Sequence, residues 1–173
     1  LVLPKGKGFV KVAARFSPAS SRFYEQQILM PYPHWNEAKF FTNKDEGELN
    51  LPVFSYEKFK IGAMFGFEAH FDAAWAYMAR KKVDVVVVPT ACTFFSESRW
   101  EELLKTRAFT NNVYVLRVNR VGNHKAASGE QWSFYGDSML ISPFGEVVSR
   151  LGKNEEMMVA KLEKTELVQA RHL

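Results

Sequence analysis

A chain of 173 residues, 47% hydrophobic and 24% charged, is long enough to close one sizeable core and too apolar to remain disordered. Its net charge of +4 is spread over scattered lysines and arginines, without a basic stripe or an aromatic–basic RNA motif, which excludes nucleic acid as the expected partner. A single cysteine, Cys92, excludes an internal disulfide and a cysteine-rich zinc site.

Leu1 to Leu3 reads as a short strand, followed by a Pro-Gly turn. Phe9 to Phe16 reads as a second strand, mostly apolar with interleaved Lys and Arg. Tyr24 to Met30 is expected to be extended, and Pro31-Tyr32-Pro33-His34-Trp35 a proline-stiffened loop. Phe40 to Leu51 is polar and reads as a surface loop. Pro52 to Tyr56 and Lys60 to Phe65 look like paired strands. After Gly66 the period changes: Phe71, Ala74, Trp75 and Met78 recur at helical spacing, so a helix is expected from the glycine to about Lys82. Val83 to Val88 is a β-branched run, the pattern of a strand buried on both faces. Ser98-Arg99-Trp100-Glu101 has the form of a capping box and is expected to open a helix carrying Trp100, Leu103, Leu104 and Ala108 on one face. Val113 to Val118, Met139 to Ser142, Glu146 to Leu151 and Met157 to Leu162 read as strands, and Thr165 to Leu173 as a final helix. The sum is one mixed α/β domain over residues 1–173, with helices packed on sheet.

No apolar run reaches the roughly 18 residues that a membrane helix requires, so no membrane partner is expected. The lone thiol suits a reduced, cytoplasmic protein. None of the four histidines stands at i, i+4 to another, so no metal and no cofactor is expected. Gly6 and Gly8 follow a strand but precede no helix, which argues against a phosphate-cradling loop. His70 reads as an ordinary first-turn residue of the helix after Gly66. Cys92 lies just beyond the buried run Val83 to Val88, at a strand end of the kind that borders binding crevices in open α/β sheets. It reads as a small buried side chain or, given a nearby cation, as a thiol nucleophile. Glu37, in WNEAKFF, has Trp35 and Phe40-Phe41 beside it to desolvate it.

Five strings occur in order: Tyr24 with Glu37-x-x-Phe40-Phe41, LPVFSYEKFKIGAMFGFE, VDVVVVPTACT, RWEELLKTRAFTNNVYVLRVNRVG and FYGDSMLISPFGEV. Together they resemble the nitrilase superfamily of carbon–nitrogen hydrolases, over nearly the whole chain. The resemblance implies an α-β-β-α four-layer sandwich, a homo-oligomer (dimer or higher) and a Glu–Lys–Cys triad. In such a triad a thiolate attacks the carbonyl, a cation holds the developing charge and a carboxylate moves protons. The family's elbow, IGxMxCxD, corresponds to Ile61-Gly62-Ala63-Met64-Phe65-Gly66-Phe67-Glu68, which puts Gly66 at the nucleophile position. The lysine of the family's Tyr-x-Lys corresponds to Gln26, or to Gln27 with a slip of one residue. The additional glutamate of the family corresponds to Glu37, and the first glutamate of the triad is expected N-terminal to Leu1, in a part of the domain absent from this sequence.

The resemblance, with Gly66 and Gln26 in place of the thiol and the ammonium, implies a member without hydrolase activity that binds a small amide-like ligand or a partner. Cys92, Phe67, Glu68, Thr93 and Phe94 are the pocket candidates. Two alternatives stand beside it. One is an active amide or nitrile hydrolase with Cys92 as a displaced nucleophile. The other is an interaction subunit whose cavity is filled by Phe65, Phe67, Phe94 and Phe95. Trp75 and Trp100 are expected either in the core or as anchors of an oligomer interface.

Overall fold

The computed structural model describes residues 1–33, 35–43, 47–93 and 95–172. Strands β1 (Val2–Lys5), β2 (Gly8–Ser17) and β3 (Ser20–Glu25) form an antiparallel sheet in that order. A two-residue pair, β4 (Pro31–Tyr32) and β5 (Trp35–Asn36), follows and leads into a 3₁₀ turn at Glu37–Lys39. Next come β6 (Val53–Tyr56), β7 (Phe59–Ala63), a second 3₁₀ turn (Gly66–His70), α1 (Asp72–Arg80), β8 (Val85–Thr90), α2 (Glu97–Asn111) and β9 (Tyr114–Asn119). The hairpin β10 (Val121–Lys125) and β11 (Gln131–Tyr135), then β12 (Met139–Ile141), β13 (Val147–Arg150) and α3 (Lys164–His172) complete the chain.

The main sheet has six strands in the order β13-β12-β9-β8-β7-β6. β7, β8 and β9 run parallel, and the flanking strands are antiparallel. Alternation along β8 divides the core in two, as the period of a strand requires. Val86 and Val88 face Trp75 and Met78 of α1 and Trp100, Leu104 and Ala108 of α2. Val85 faces the other way, into a smaller cluster with Tyr114, Leu140 and Leu167 of α3. The sheet therefore carries helices on both faces, and the expected helix-on-sheet α/β layering is present.

Asp84, the polar residue in the β-branched run, stands immediately before β8. Its carboxylate accepts from Lys164 Nζ at 2.6 Å, Arg171 Nη1 at 2.9 Å and the Lys60 backbone N–H at 2.9 Å, tying α3 to the sheet. Burial alone would raise this carboxyl; the three donors outweigh it and hold the group below its ordinary value.

Three sequence expectations are corrected. The single helix after Gly66 is a 3₁₀ turn and then α1, broken at Phe71, whose backbone is extended (φ −101°, ψ 128°). α2 begins at Glu97 with Ser96 as its N-cap, so Ser98 and Glu101 lie inside the helix rather than at a capping box; Glu101 pairs with Arg150 instead. Met157 to Leu162 forms no strand, because it lies against no strand edge: Met157 and Val159 are exposed, while Met158 and Leu162 rest on the smaller core cluster. The hairpin β10–β11 has no counterpart in the sequence reading, where only Val121, Gly122, Phe134 and Tyr135 fall within the resembling strings. Trp75 and Trp100 are both buried in the core of the chain itself. No helix among the described residues is long and apolar enough to cross a membrane.

Candidate functional site

Parallel strands β7 and β8 deliver two backbone turns to the same end of the sheet, the carboxyl end, where open α/β sheets form their crevices. From β7 comes the turn Met64–Gly66, fastened to β8 by Met64 N–H donating to Val87 O at 3.1 Å. From β8 come Thr90, Ala91 and Cys92. Between them, Met30, Tyr32, Trp35 and Glu37, α2 and β11 lies a cavity of about 660 Å³. Its lining includes Gly66, Glu37, Cys92, Phe67 and Thr93 among the residues expected at the site. Phe65 and Phe67 form walls rather than a plug, and Phe95 is 91% exposed, so these three of the four phenylalanines expected to fill the space leave it open. Phe94 lies outside the described residues.

Glu37 is 3% exposed and fully engaged. Its Oε1 accepts from Lys11 Nζ at 2.6 Å. Its Oε2 accepts from Gln26 Nε2 at 2.8 Å and from the Met30 N–H at 2.9 Å. The turn that carries it is closed by Phe40 and Phe41 N–H on Glu37 O. Gln26 does not line the cavity; it stands fully buried behind Glu37, its Nε2 also donating to Ile28 O at 2.7 Å. With both amide hydrogens given to oxygens, Gln26 Oε1 points the other way and has no donor among the described residues.

Lys11 was not foreseen. It sits on β2 between the buried Val10 and Val12 and so projects from the opposite face of the strand. Asn43 fixes that strand beside residue 26: its Oδ1 accepts from Lys11 N, and its Nδ2 donates to Lys11 O and Gln26 O. The ammonium lies 5.3 Å from the centroid of Phe65. A positive charge therefore reaches this cavity from β2, although residue 26 is neutral.

Glu68 is fully buried and lies behind the turn, outside the cavity lining. It accepts from Phe65 N at 2.8 Å and Gln27 N at 2.8 Å, stitching the elbow to the segment after β3. Burial raises its pKa, and the backbone donors offset part of that rise.

Beneath the cavity floor lies Arg117, fully buried between the rings of Trp100 and Tyr135. It donates to Tyr135 OH at 2.8 Å, to Asp137 Oδ2 at 3.1 Å and to Thr90 Oγ1 at 3.3 Å. Thr90 Oγ1 in turn donates to Asn119 Oδ1 at 2.8 Å, which also accepts from Cys92 N at 3.0 Å. The floor is thus a fixed polar network.

That network bears on residue 66. A Cβ built on Gly66 would lie 2.6 Å from Thr90 Cγ2, 3.3 Å from the Trp100 ring and 3.5 Å from Pro89 O. The volume where a side chain at 66 would begin is already occupied. His70 lines the cavity too, with Nδ1 against Phe67 O at 3.2 Å and its ring edge-on to Trp100.

Comparison with known proteins agrees with this architecture. Residues 9–172 match the carbon-nitrogen hydrolase family. Deaminated glutathione amidase of Synechocystis is 28% identical over 140 residues, 80% of this chain and 48% of that protein. Omega-amidase NIT2-A of Xenopus laevis is 26% identical over 155 residues, 89% of this chain and 49% of that protein. The chain thus spans about half the length of these relatives. A carbon-nitrogen hydrolase from Helicobacter pylori superposes with a TM-score of 0.87 over 99% of this chain and 63% of that one, at 22% identity, which establishes the likeness of fold.

Proposed function

Since this chain belongs to the carbon-nitrogen hydrolase family, we propose that it is a member that holds a small ligand without hydrolysing it. The observation that carries the reading is Gly66. At the position the resemblance assigns to the nucleophile there is no side chain, and the Thr90 methyl group stands 2.6 Å from where one would start. Replacing a thiol by hydrogen removes the covalent route to an acyl intermediate, a loss of many powers of ten in enzymes of this kind. Gln26, assigned to the lysine position, offers a neutral amide whose two hydrogens are spent on Glu37 and Ile28 O. The cavity remains open, which supports binding over a purely structural role. We carry the expectation of a homo-oligomer into the same proposal; light scattering on the purified protein tests it.

The test is ammonia release from a panel of small aliphatic and aromatic amides, with none expected above the no-protein rate. A second reading is supported by Cys92 lining the same cavity as Gly66 and Glu37: an active hydrolase with its nucleophile moved to the end of β8. Ammonia release that disappears in Cys92→Ala would overturn the first reading in favour of the second.

A further inference from the structure

The charges and rings that line the cavity narrow the class of its occupant. Among the described residues, three ionisable side chains of fixed charge line the cavity: Lys11, Glu37 and Arg99. Glu37 is not available to a ligand, since Lys11, Gln26 and the Met30 N–H occupy both of its oxygens. Lys11 is available. Its side chain is 31% exposed, and an ammonium has three hydrogens, of which one goes to Glu37. Arg99 stands exposed at the rim, on the first turn of α2. The charge offered to an occupant is therefore positive.

The walls are aromatic. Trp35 meets Trp132 edge-to-face at 5.0 Å, and Tyr32 meets Phe67 at 5.6 Å. Phe65 lies beside Lys11, and Trp100 faces His70 at 5.1 Å. Aromatic walls have two common uses: caging an organic cation and stacking on a flat ring. The electrostatics separate them. A cation would lie near Lys11 and Arg99, with the only lining carboxylate among the described residues already hydrogen-bonded, and like charges repel most strongly where water is scarce. A flat ring meets no such opposition. A single ammonium already shared with a carboxylate matches one negative charge better than the two of a phosphate monoester.

We propose that Lys11 is the anion anchor of this cavity, and that the cavity takes a small aryl monocarboxylate, its carboxylate on Lys11 Nζ and its ring among Trp35, Phe65, Phe67 and Trp132. This rests on the reading of the protein as a ligand binder. It makes Lys11 a binding residue delivered from β2, with Glu37 and Gln26 behind it as the groups that hold the ammonium in place.

The experiment is a titration of the full chain with phenylacetate, phenylacetamide and benzyltrimethylammonium, followed by tryptophan fluorescence, since Trp35, Trp100 and Trp132 line the cavity. Phenylacetate is expected to bind at least roughly ten-fold more tightly than phenylacetamide, the scale of one charge-assisted hydrogen bond. Lys11→Gln is expected to abolish that preference, bringing the two affinities within about two-fold of each other. Because Lys11→Gln also removes a partner of Glu37, Lys11→Arg is measured beside it, with the thermal midpoints of both; the arginine variant is expected to keep a preference for phenylacetate. Equal affinity for acid and amide, or tightest binding of the quaternary ammonium, would overturn the proposal and leave the ligand-binding reading standing. Absence of any response to all three probes would overturn both. Ammonia release from phenylacetamide would overturn only the non-hydrolytic reading.

Discussion

Placing a methyl group on Gly66 tests whether the floor of the cavity is closed around a glycine. Gly66 has no positive φ, so alanine is allowed by its backbone, and the restricted unfolded chain would by itself favour the variant by about 0.4–1 kcal/mol. Against this stands the Thr90 methyl group, 2.6 Å from the new Cβ. Thr90 cannot simply turn aside, because its Oγ1 donates to Asn119 and accepts from the buried Arg117. Rotating it would break two partly buried hydrogen bonds, and leaving it in place would overpack the site; either route costs about 1–3 kcal/mol. Taking the middle of each range, the net expectation for Gly66→Ala is a loss of about 1.3 kcal/mol, which for a chain of this size lowers Tm by about 3–5 °C. Thr90→Ser removes the offending methyl and keeps the hydroxyl. The double variant Gly66→Ala/Thr90→Ser is therefore expected to recover most of the loss, with a favourable coupling of about 1 kcal/mol in a urea-denaturation cycle. A neutral or stabilising Gly66→Ala, or a double variant whose losses simply add, would refute the reasoning.

Three further outcomes follow from the same geometry. Glu68→Gln puts an amide NH₂ against a backbone N–H, because the two carboxylate oxygens accept from different peptide groups; a loss of about 1–3 kcal/mol in chemical denaturation is expected, and an unchanged midpoint would mean that the elbow is held otherwise. The Asp84 carboxyl is held below its ordinary value in the folded chain, so its contribution is present above the unfolded carboxylate range and is lost as pH falls through the folded value. Asp84→Asn should accordingly cost about 1.5 kcal/mol at neutral pH, the lower end for charged hydrogen bonds because Lys164 and Arg171 are more than a third exposed, and should flatten the acid limb of the stability profile. Tyr114, buried and hydrogen-bonded to Glu166, is pushed up to about 12, so ultraviolet titration should show a tyrosine that ionises after the rest, and Glu166→Gln should bring that step down.

Where hydrophobic pattern governs, the chain discloses its fold. The β-branched run before Pro89 is β8 within two residues, and the apolar positions Trp100, Leu104 and Ala108 do face the sheet. Polar capping signals were less informative: Ser98 and Glu101 have the spacing of a capping box, yet Ser96 starts the helix, and its hydroxyl bonds Tyr135 while Glu101 is drawn to Arg150. Met157 to Leu162 has strand-like composition, but a strand needs an edge to pair with, and that need is not visible locally. Of the site, Gly66, Glu37 and Cys92 were legible through the motifs around them. Lys11 was not. It is one of several lysines in interleaved strands, and its partner Glu37 lies 26 residues away, brought close only when Asn43 pins β2 to residue 26. The aromatic walls were equally hidden, since Trp35 and Trp132 meet through tertiary structure alone.

The chain has a single cysteine, so a covalent route through a thiol of this chain must use Cys92, and its reactivity bears most directly on whether this family member attacks what it binds. The measurement is the rate of Cys92 alkylation by iodoacetamide against pH. The account predicts a slow reaction at neutral pH, no faster than free cysteine, as befits a buried thiol that packs rather than attacks. A rate that far exceeds that of free cysteine and stays high down to about pH 6 would reveal an activated thiolate and contradict it.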